Sequence, residues 1–297
     1  MSQTKTQFVP TPEGREAQKE KVKATLETLV QTITSENCVD NLAKVIIRAE
    51  GRPCDTWSLR NRLLMMAQGT SDARTFKAWK SAGRYVKRGS KAIFVVKPYH
   101  ILVTKKKIVD GKEVEEKFPM LVGFTLQNEF KVEDTDGKPL AYKAADPLPD
   151  LKVVVEKWGY TVEFDDTNDH GAYGYHSLQN KKIVLGVRGD FATTTFFHEL
   201  SHAAFKKIDP ESVKLYHSNP ENHKKEEMIV QLSSCVLAKL YGIDCEGFTQ
   251  EYIKNQLATK DLKTVANQIS KILDKVDKVV NLILFEREIV VKEELDQ

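Results

Sequence analysis

Thr195-Phe-Phe-His-Glu-Leu-Ser-His-Ala-Ala-Phe205 carries two histidines four residues apart, His198 and His202, with Glu199 between them. On a helix that spacing places both imidazoles on one face, one turn apart, within reach of one ion. Glu199 then falls beside the ion, where it can take a proton from an attacking water. Phe197, Leu200, Ala203 and Ala204 supply an apolar stripe to bury, which supports the helix. A hydrolytic zinc site takes three protein ligands and keeps one position open, so a third ligand is required elsewhere. Downstream, Asn219-Pro220 reads as a helix start and Gly242 as its stop. Within that span Glu227, Gln231, Ser234 and Cys235 share a face, whereas Glu226 lies about 100° round, toward Lys224 and Lys225. Glu227 is the expected third ligand, Glu226 the alternative, and Gln231 the expected support one turn on. The competing reading is an ordinary helix with two histidines, followed by a solvated charge run.

The segments before this helix read as a small sheet. Leu151–Gly159 is helix-like, Tyr160–Phe164 a strand, and Gly171–His176 with Lys182–Val187 a strand pair around Gln179-Asn180. The Gly171–His176 strand offers an edge to which an extended peptide could add. Tyr173, Tyr175, His176 and His217 are candidate donors for a developing oxyanion. Beyond residue 248, Tyr252, Ile253, Leu257, Leu262, Val265, Ile269, Leu273, Val276 and Val280 recur at helical spacing, which predicts one or two helices packed on this region. Val132–Asp150, with Asp136-Gly137 and three prolines, is the expected boundary.

Upstream of the boundary, Val22, Leu26, Leu29, Val30 and Ile33 predict helix within 11–49, where Leu42, Val45 and Ile46 form a second apolar set. Ser58 is a candidate cap for Leu59–Gln68, and Thr75–Ala82 is a short helix ended by Gly83. Ala92–Lys97 predicts a strand, with two more in 99–130 around a charged Lys105–Lys117 turn. The pattern is α+β.

A chain of 297 residues with 41% apolar and 29% charged residues has room for about two domains and a real core. A wholly disordered chain, a collagen-like one and a disulfide miniprotein are excluded. Four cysteines without a CxxC pair suit a reducing compartment. The start has no apolar run of a signal peptide, and the longest apolar stretch, Val279–Phe285, is far short of a membrane span. A cytoplasmic protein without a membrane partner is expected.

The net charge of +3 conceals an asymmetry, because residues 1–140 hold 25 Lys and Arg against 17 Asp and Glu. From Thr56 to Pro98 there are ten basic residues and one acid, Asp72. Such a segment suits a polyanion, or else is a solvated face.

Two blocks together resemble a known family. Ser58-Leu-Arg-Asn-Arg-Leu-Leu-Met-Met-Ala-Gln68, Ala73, Phe76-Lys-Ala-Trp79, Gly83-Arg-Tyr-Val-Lys-Arg-Gly89 and Lys91-Ala-Ile93 are similar to the single-stranded-DNA-binding domain of ArdC-type antirestriction proteins and their LtrC-like relatives on mobile elements. His198–His202 and Glu226–Gln231 are similar to the zincin-type metallopeptidase domain that follows in that family. The resemblance implies residues 1–140 as the DNA-binding domain, 141–150 as linker, 151–248 as zincin-like domain and 249–297 as C-terminal helices. It implies His198, His202 and Glu227 as metal ligands and Glu199 as general base. Zn2+ is the expected ion, with Mn2+ or another divalent metal as alternatives. The chain departs from the family at Gly69-Thr-Ser, where a proline often follows Gln68, at Gln231, where an acid is common, and near Asn255, where a tryptophan is common.

Single-strand binders combine cations with aromatic faces on which bases stack. Arg60, Arg62, Lys77, Arg84, Tyr85, Lys87, Arg88 and Lys91 are the expected contacts, with Trp79 and Phe76 expected in the core instead. No base-reading motif is present, so binding should tolerate sequence. Three functions follow: a DNA-associated zinc peptidase hydrolysing protein or peptide, a non-enzymatic protector of single strands with a structural metal, or a repressor-cleaving regulatory peptidase.

Overall fold

The computed structural model describes residues 12–48, 51–109, 112–143, 147–165, 173–186, 190–211, 220–245 and 261–285. Two N-terminal helices, α1 (Pro12–Ile33) and α2 (Cys38–Ile46), form where one continuous helical stretch was read. Leu26, Leu29 and Ile33 of α1 and Leu42 and Ile46 of α2 face the core. Helix α3 (Leu59–Ala67) packs against both.

The next stretch forms two small sheets. Strands β1 (Ala73–Arg74), β3 (Ile93–Val109) and β4 (Lys112–Lys131) make one, in the order β1-β4-β3; β2 (Arg84–Val86) and β5 (Thr135–Gly137) make the other. Helix α4 (Phe76–Ser81) starts at Thr75, whose hydroxyl accepts from the Ala78 N–H at 3.1 Å. Sequence reading divided 92–130 into three strands around a charged turn. The structure has instead one antiparallel ribbon of 17 and 20 residues, with a register shift between Tyr99 and His100. Charges on a ribbon flanked by water need no turn to reach solvent, so the strands run on into the expected Lys105–Lys117 turn from both sides, as far as Val109 and Lys112. Near the body Ile93, Val95 and Val96 are buried, whereas Tyr99, Leu102 and Met120 further out are exposed.

A third sheet lies beyond α5 (Leu151–Lys157). Strand β6 (Thr161–Phe164) runs parallel to β8 (Lys182–Leu185), and β7 (Gly174–Ser177) pairs antiparallel with β8 on its other side. Strand β7 is therefore an edge. Against this sheet pack α6 (Asp190–Ile208) and then α7 (Pro220–Leu240), the two helices expected from the histidine and glutamate patterns. Helix α7 ends as its glycine predicts. Gly242 adopts φ +74°, the Gly242 N–H donates to Lys239 O, and the Ile243 N–H reaches back to Ala238 O at 2.9 Å, a Schellman closure that satisfies the last carbonyls. The reversal carries Cys245 back to Cys235, and the two form a disulfide. This pairing was not legible, because the spacing is no cysteine motif and only the chain reversal brings the sulfurs together. Cys38 and Cys54 stay free, and burial pushes both thiols up to about 12.

Helix α8 (Leu262–Phe285) closes the fold. Its apolar positions contact α6 and α7, as expected, but also α1, α2 and α3. One continuous hydrophobic core runs from Leu29 and Leu63 through Val96 and Leu200 to Leu237 and Val280. Tyr252, Ile253 and Leu257 lie outside the described residues. No described helix is long and apolar enough to cross a membrane.

Because α3 is enclosed by α1, α2, α8 and β3, its polar face is buried too. This corrects the expectation that Arg60 and Arg62 face a nucleic acid. Arg62 is 2% exposed, donates to Asp277 Oδ1 at 2.7 Å and to Ile46 O at 3.2 Å, and also to Val45 O. It thereby serves the last carbonyls of α2, which have no intrahelical partner. Arg60 donates to Ser270 Oγ at 3.0 Å and Val96 O at 3.2 Å. Arg48 shares Asp277 through Oδ2 at 2.6 Å. Burial lowers the pKa of both Arg60 and Arg62, opposed for Arg62 by Asp277. Asp277→Ala leaves two guanidinium groups facing a buried, uncompensated site and should cost about 3–5 kcal/mol. Urea unfolding followed by circular dichroism checks this: the midpoint falls, and an unchanged midpoint would refute the role given to the ion pair.

Candidate metal centre

Helix α6 runs unbroken through His198, Glu199 and His202, and its apolar stripe Phe197, Leu200, Ala203 and Ala204 is buried. Helix α7 packs along it and brings Glu227 to the two rings. Glu227 Oε2 lies 3.6 Å from His198 Nε2, and Oε1 3.3 Å from His202 Nε2. One donor atom from each of the three residues lies within 4.8 Å of the others. Among the described residues this is the only group of three or more His, Cys, Asp or Glu placed to hold an ion. Two imidazoles and a carboxylate suit zinc and other divalent first-row metals.

The side chains around the triangle define its chemistry. Glu226, read from sequence on the solvated side of its helix, is buried instead. It approaches His202 Nδ1 at 3.1 Å and Lys206 Nζ at 3.6 Å. A carboxylate on the far nitrogen of a ligating histidine orients the ring and leaves Nε2 for the ion. Lys206 lies one turn beyond His202 on α6, so one carboxylate from α7 meets both side chains. Gln231 hydrogen-bonds the ring of His198, and its Nε2 also reaches Cys235 Sγ at 3.7 Å.

Burial lowers the pKa of His198. Burial also opposes the charged form of His202, but hydrogen bonds to Glu226 and Glu227 prevail and raise it to about 9. Glu227 is likewise opposed by burial, yet the hydrogen bond and charge of His202 hold it below its ordinary value.

The triangle borders a cleft of about 900 Å³ lined by Tyr173, Gly174, Phe191, Thr195, Gln231 and Ile243, among others. Glu199 and His198 also line it. At Gly174 an added Cβ would come within 2.6 Å of Thr195 Cγ2 and 2.8 Å of Val184 O. The missing side chain is what lets β7 lie directly on α6. Of the candidate oxyanion donors, Tyr173 borders the cleft, His176 lies beside Glu199, Tyr175 is exposed, and His217 lies outside the described residues.

The basic segment is elsewhere on the surface. Lys77, Tyr85, Lys87, Arg88 and Lys91 are exposed, with Tyr85 at 62%. Lys87 Nζ contacts Glu133 O at 3.2 Å and Asp136 at 3.5 Å. Arg84 is largely committed within the fold: it donates to Thr135 Oγ1 at 2.8 Å and to Lys138 O at 2.6 Å, clamping β2 to β5. Trp79 is fully buried, as expected, and its Nε1 donates to Phe130 O at 2.8 Å. Phe76, also expected inside, is 58% exposed, because a helix of six residues buries only one narrow face.

Fold and site together define a mixed helix-and-sheet protein with a helix-borne side-chain set suited to a divalent metal. The chain is ArdC-like in fold: it is similar to the metal-free crystal structure of the antirestriction ArdC protein from plasmid R388, with a TM-score of 0.50, 20% identity, 76% of this chain and 83% of that chain covered. The Mn(II)-bound crystal structure of the same protein aligns with a TM-score of 0.43 and 17% identity over 75% of this chain and 84% of that one. No protein-family model matches the chain, and comparison with curated proteins gives no match.

Metal binding must displace the proton that His202 carries below about pH 9. Adding Zn2+ or Mn2+ to chelator-treated protein at pH 7.5 should therefore release protons, an effect that fades as the pH rises past 9. Calorimetry in buffers of different ionisation enthalpy measures it. Glu226→Gln, which keeps all three ligands, should weaken affinity about 10- to 100-fold, and Glu227→Gln should weaken it more. A chelator competition assay in which both variants bind like wild type would refute the site.

Proposed function

We propose that the chain is a metal-dependent peptidase of a mobile element or phage, with an antirestriction role on single-stranded DNA. The observation that carries the enzymatic part is the convergence of His198, His202 and Glu227 donors within 4.8 Å, with Glu199 beside them in an open cleft. In this reading residues 151–248 form a zincin-like domain after a DNA-binding region within 1–140 and a linker at 141–150, with 249–297 as covering helices.

His198, His202 and Glu227 would hold a divalent cation, zinc by the donor set, which when bound would supply Lewis acidity to a water and to the scissile carbonyl. Glu199 takes a proton from the attacking water and passes it to the leaving amine. Glu226, backed by Lys206, fixes the ring of His202, and Gln231 fixes that of His198. The edge strand β7 aligns an extended peptide across the cleft by main-chain hydrogen bonds. Tyr173 and Phe191 offer exposed aromatic surface at the cleft that suits apolar side chains of such a peptide.

The DNA part rests on charge and exposed rings, supported by the likeness in fold to ArdC. Lys77, Tyr85, Lys87, Arg88 and Lys91 are the contacts that remain once Arg60, Arg62 and Arg84 are set aside for structure, and Phe76 joins them as a second stacking face. None of these presents a built base-reading pocket, so affinity comes from phosphates and stacking.

Glu199→Gln should abolish cleavage of a labelled casein while one metal per chain and DNA affinity persist; a variant with full proteolysis would end the peptidase reading. A variant that protects DNA in restriction assays as well as wild type assigns protection to binding alone. Replacing Lys87, Arg88 and Lys91 by Gln should lower the slope of log affinity against log salt by about 0.7 per lost phosphate contact, and Tyr85→Ala should cost about 1–3 kcal/mol. A gel shift with a single-stranded oligonucleotide, unchanged across these variants, would show that the basic face is only solvated.

A further inference from the structure

We propose that His176 is a positioning residue for Glu199, its Nδ1–H donating to Glu199 Oε2 and leaving the other carboxylate oxygen for the attacking water. This rests on the peptidase reading. His176 Nδ1 lies 3.4 Å from Glu199 Oε2, and the two side chains are only 11% and 10% exposed. The His176 ring lies flat on that of His202, with centroids 5.3 Å apart and planes 10° apart. It is thus wedged between the carboxylate and one ligand, yet it is not among the three residues whose donor atoms converge.

The backbone fixes this placement. His176 sits opposite Ile183 in the β7–β8 ladder. Two residues earlier Gly174 packs on Thr195 with no room for a Cβ, and Glu199 follows Thr195 by four residues. Two residues of strand advance about 6.7 Å and four helical residues about 6.0 Å. Strand and helix therefore keep step, and the contact at Gly174 and Thr195 sets His176 against Glu199. A carboxylate on a helix surface samples several rotamers, and a general base displaced by about 1 Å can lose about 100-fold in rate. Anchoring one oxygen removes that freedom, and the stacked His202 ring prevents the donor from turning away.

His176→Ala should keep one zinc per chain and an unchanged KM on labelled casein while kcat falls about 10- to 100-fold. His176→Asn, whose amide places a donor near the position of Nδ1, should recover most of kcat. Without substrate, nitrogen-15 NMR of the zinc-loaded full chain should show His176 as the Nδ1–H tautomer, and Glu199→Ala should release it from that form. A wild-type kcat in His176→Ala, loss of zinc in that variant, or an Nε2–H tautomer unaffected by Glu199→Ala would overturn the proposal. A wild-type chain that cleaves no substrate overturns the peptidase reading instead, and the tautomer alone then decides whether this contact exists.

Discussion

A single buried carboxylate, Asp277 on α8, binds the late helix to residues at and after α2. It faces Arg62 from α3 and Arg48 from the end of α2, and Asn281 one turn on donates to its Oδ1 at 3.1 Å. Charges in such surroundings cost stability unless they are paired. The pairing ties α8 to α2 and α3. Because α8 also packs on α6 and α7, one helix joins this ion pair to the two helices that carry the metal triangle.

Around the triangle, both histidine ligands face a partner on the neighbouring helix: His202 has Glu226 across the α6–α7 contact and His198 has Gln231. His176 of the sheet lies 3.4 Å from Glu199, beside the triangle. A helix alone would present two histidines with free rings. The packing of β7, α6 and α7 converts them into a set with defined direction, and the absence of a side chain at Gly174 is the local condition for it.

Much of this was legible in the sequence where chemistry imposes spacing. His198, His202 and Glu227 follow from helical geometry, and the end of α7 follows from Gly242. Other features were hidden for identifiable reasons. Arg60 and Arg62 point about 200° apart round their helix, and only the enclosure of α3 by α1, α2, α8 and β3 shows both to be internal. Glu226 was masked by its lysine neighbours, and only the packing of α7 on α6 brings it to His202 and Lys206. Asp277 and Asn281 were the stronger clue: two polar residues four apart within an apolar stripe require buried partners. The ribbon β3–β4 was cut short in the reading because charged residues signal turns only where a sheet has a buried face.

The order in which the ribosome delivers these pieces has a consequence. Arg62 and the exposed carbonyls of α2 emerge more than two hundred residues before Asp277, their counterion. Until α8 has been made, Arg62 has no Asp277 to pair with, and the surfaces of α1, α2 and α3 that α8 contacts lack that cover. The contacts that tie α1, α2 and α3 to α8 therefore form only once α8 itself is present.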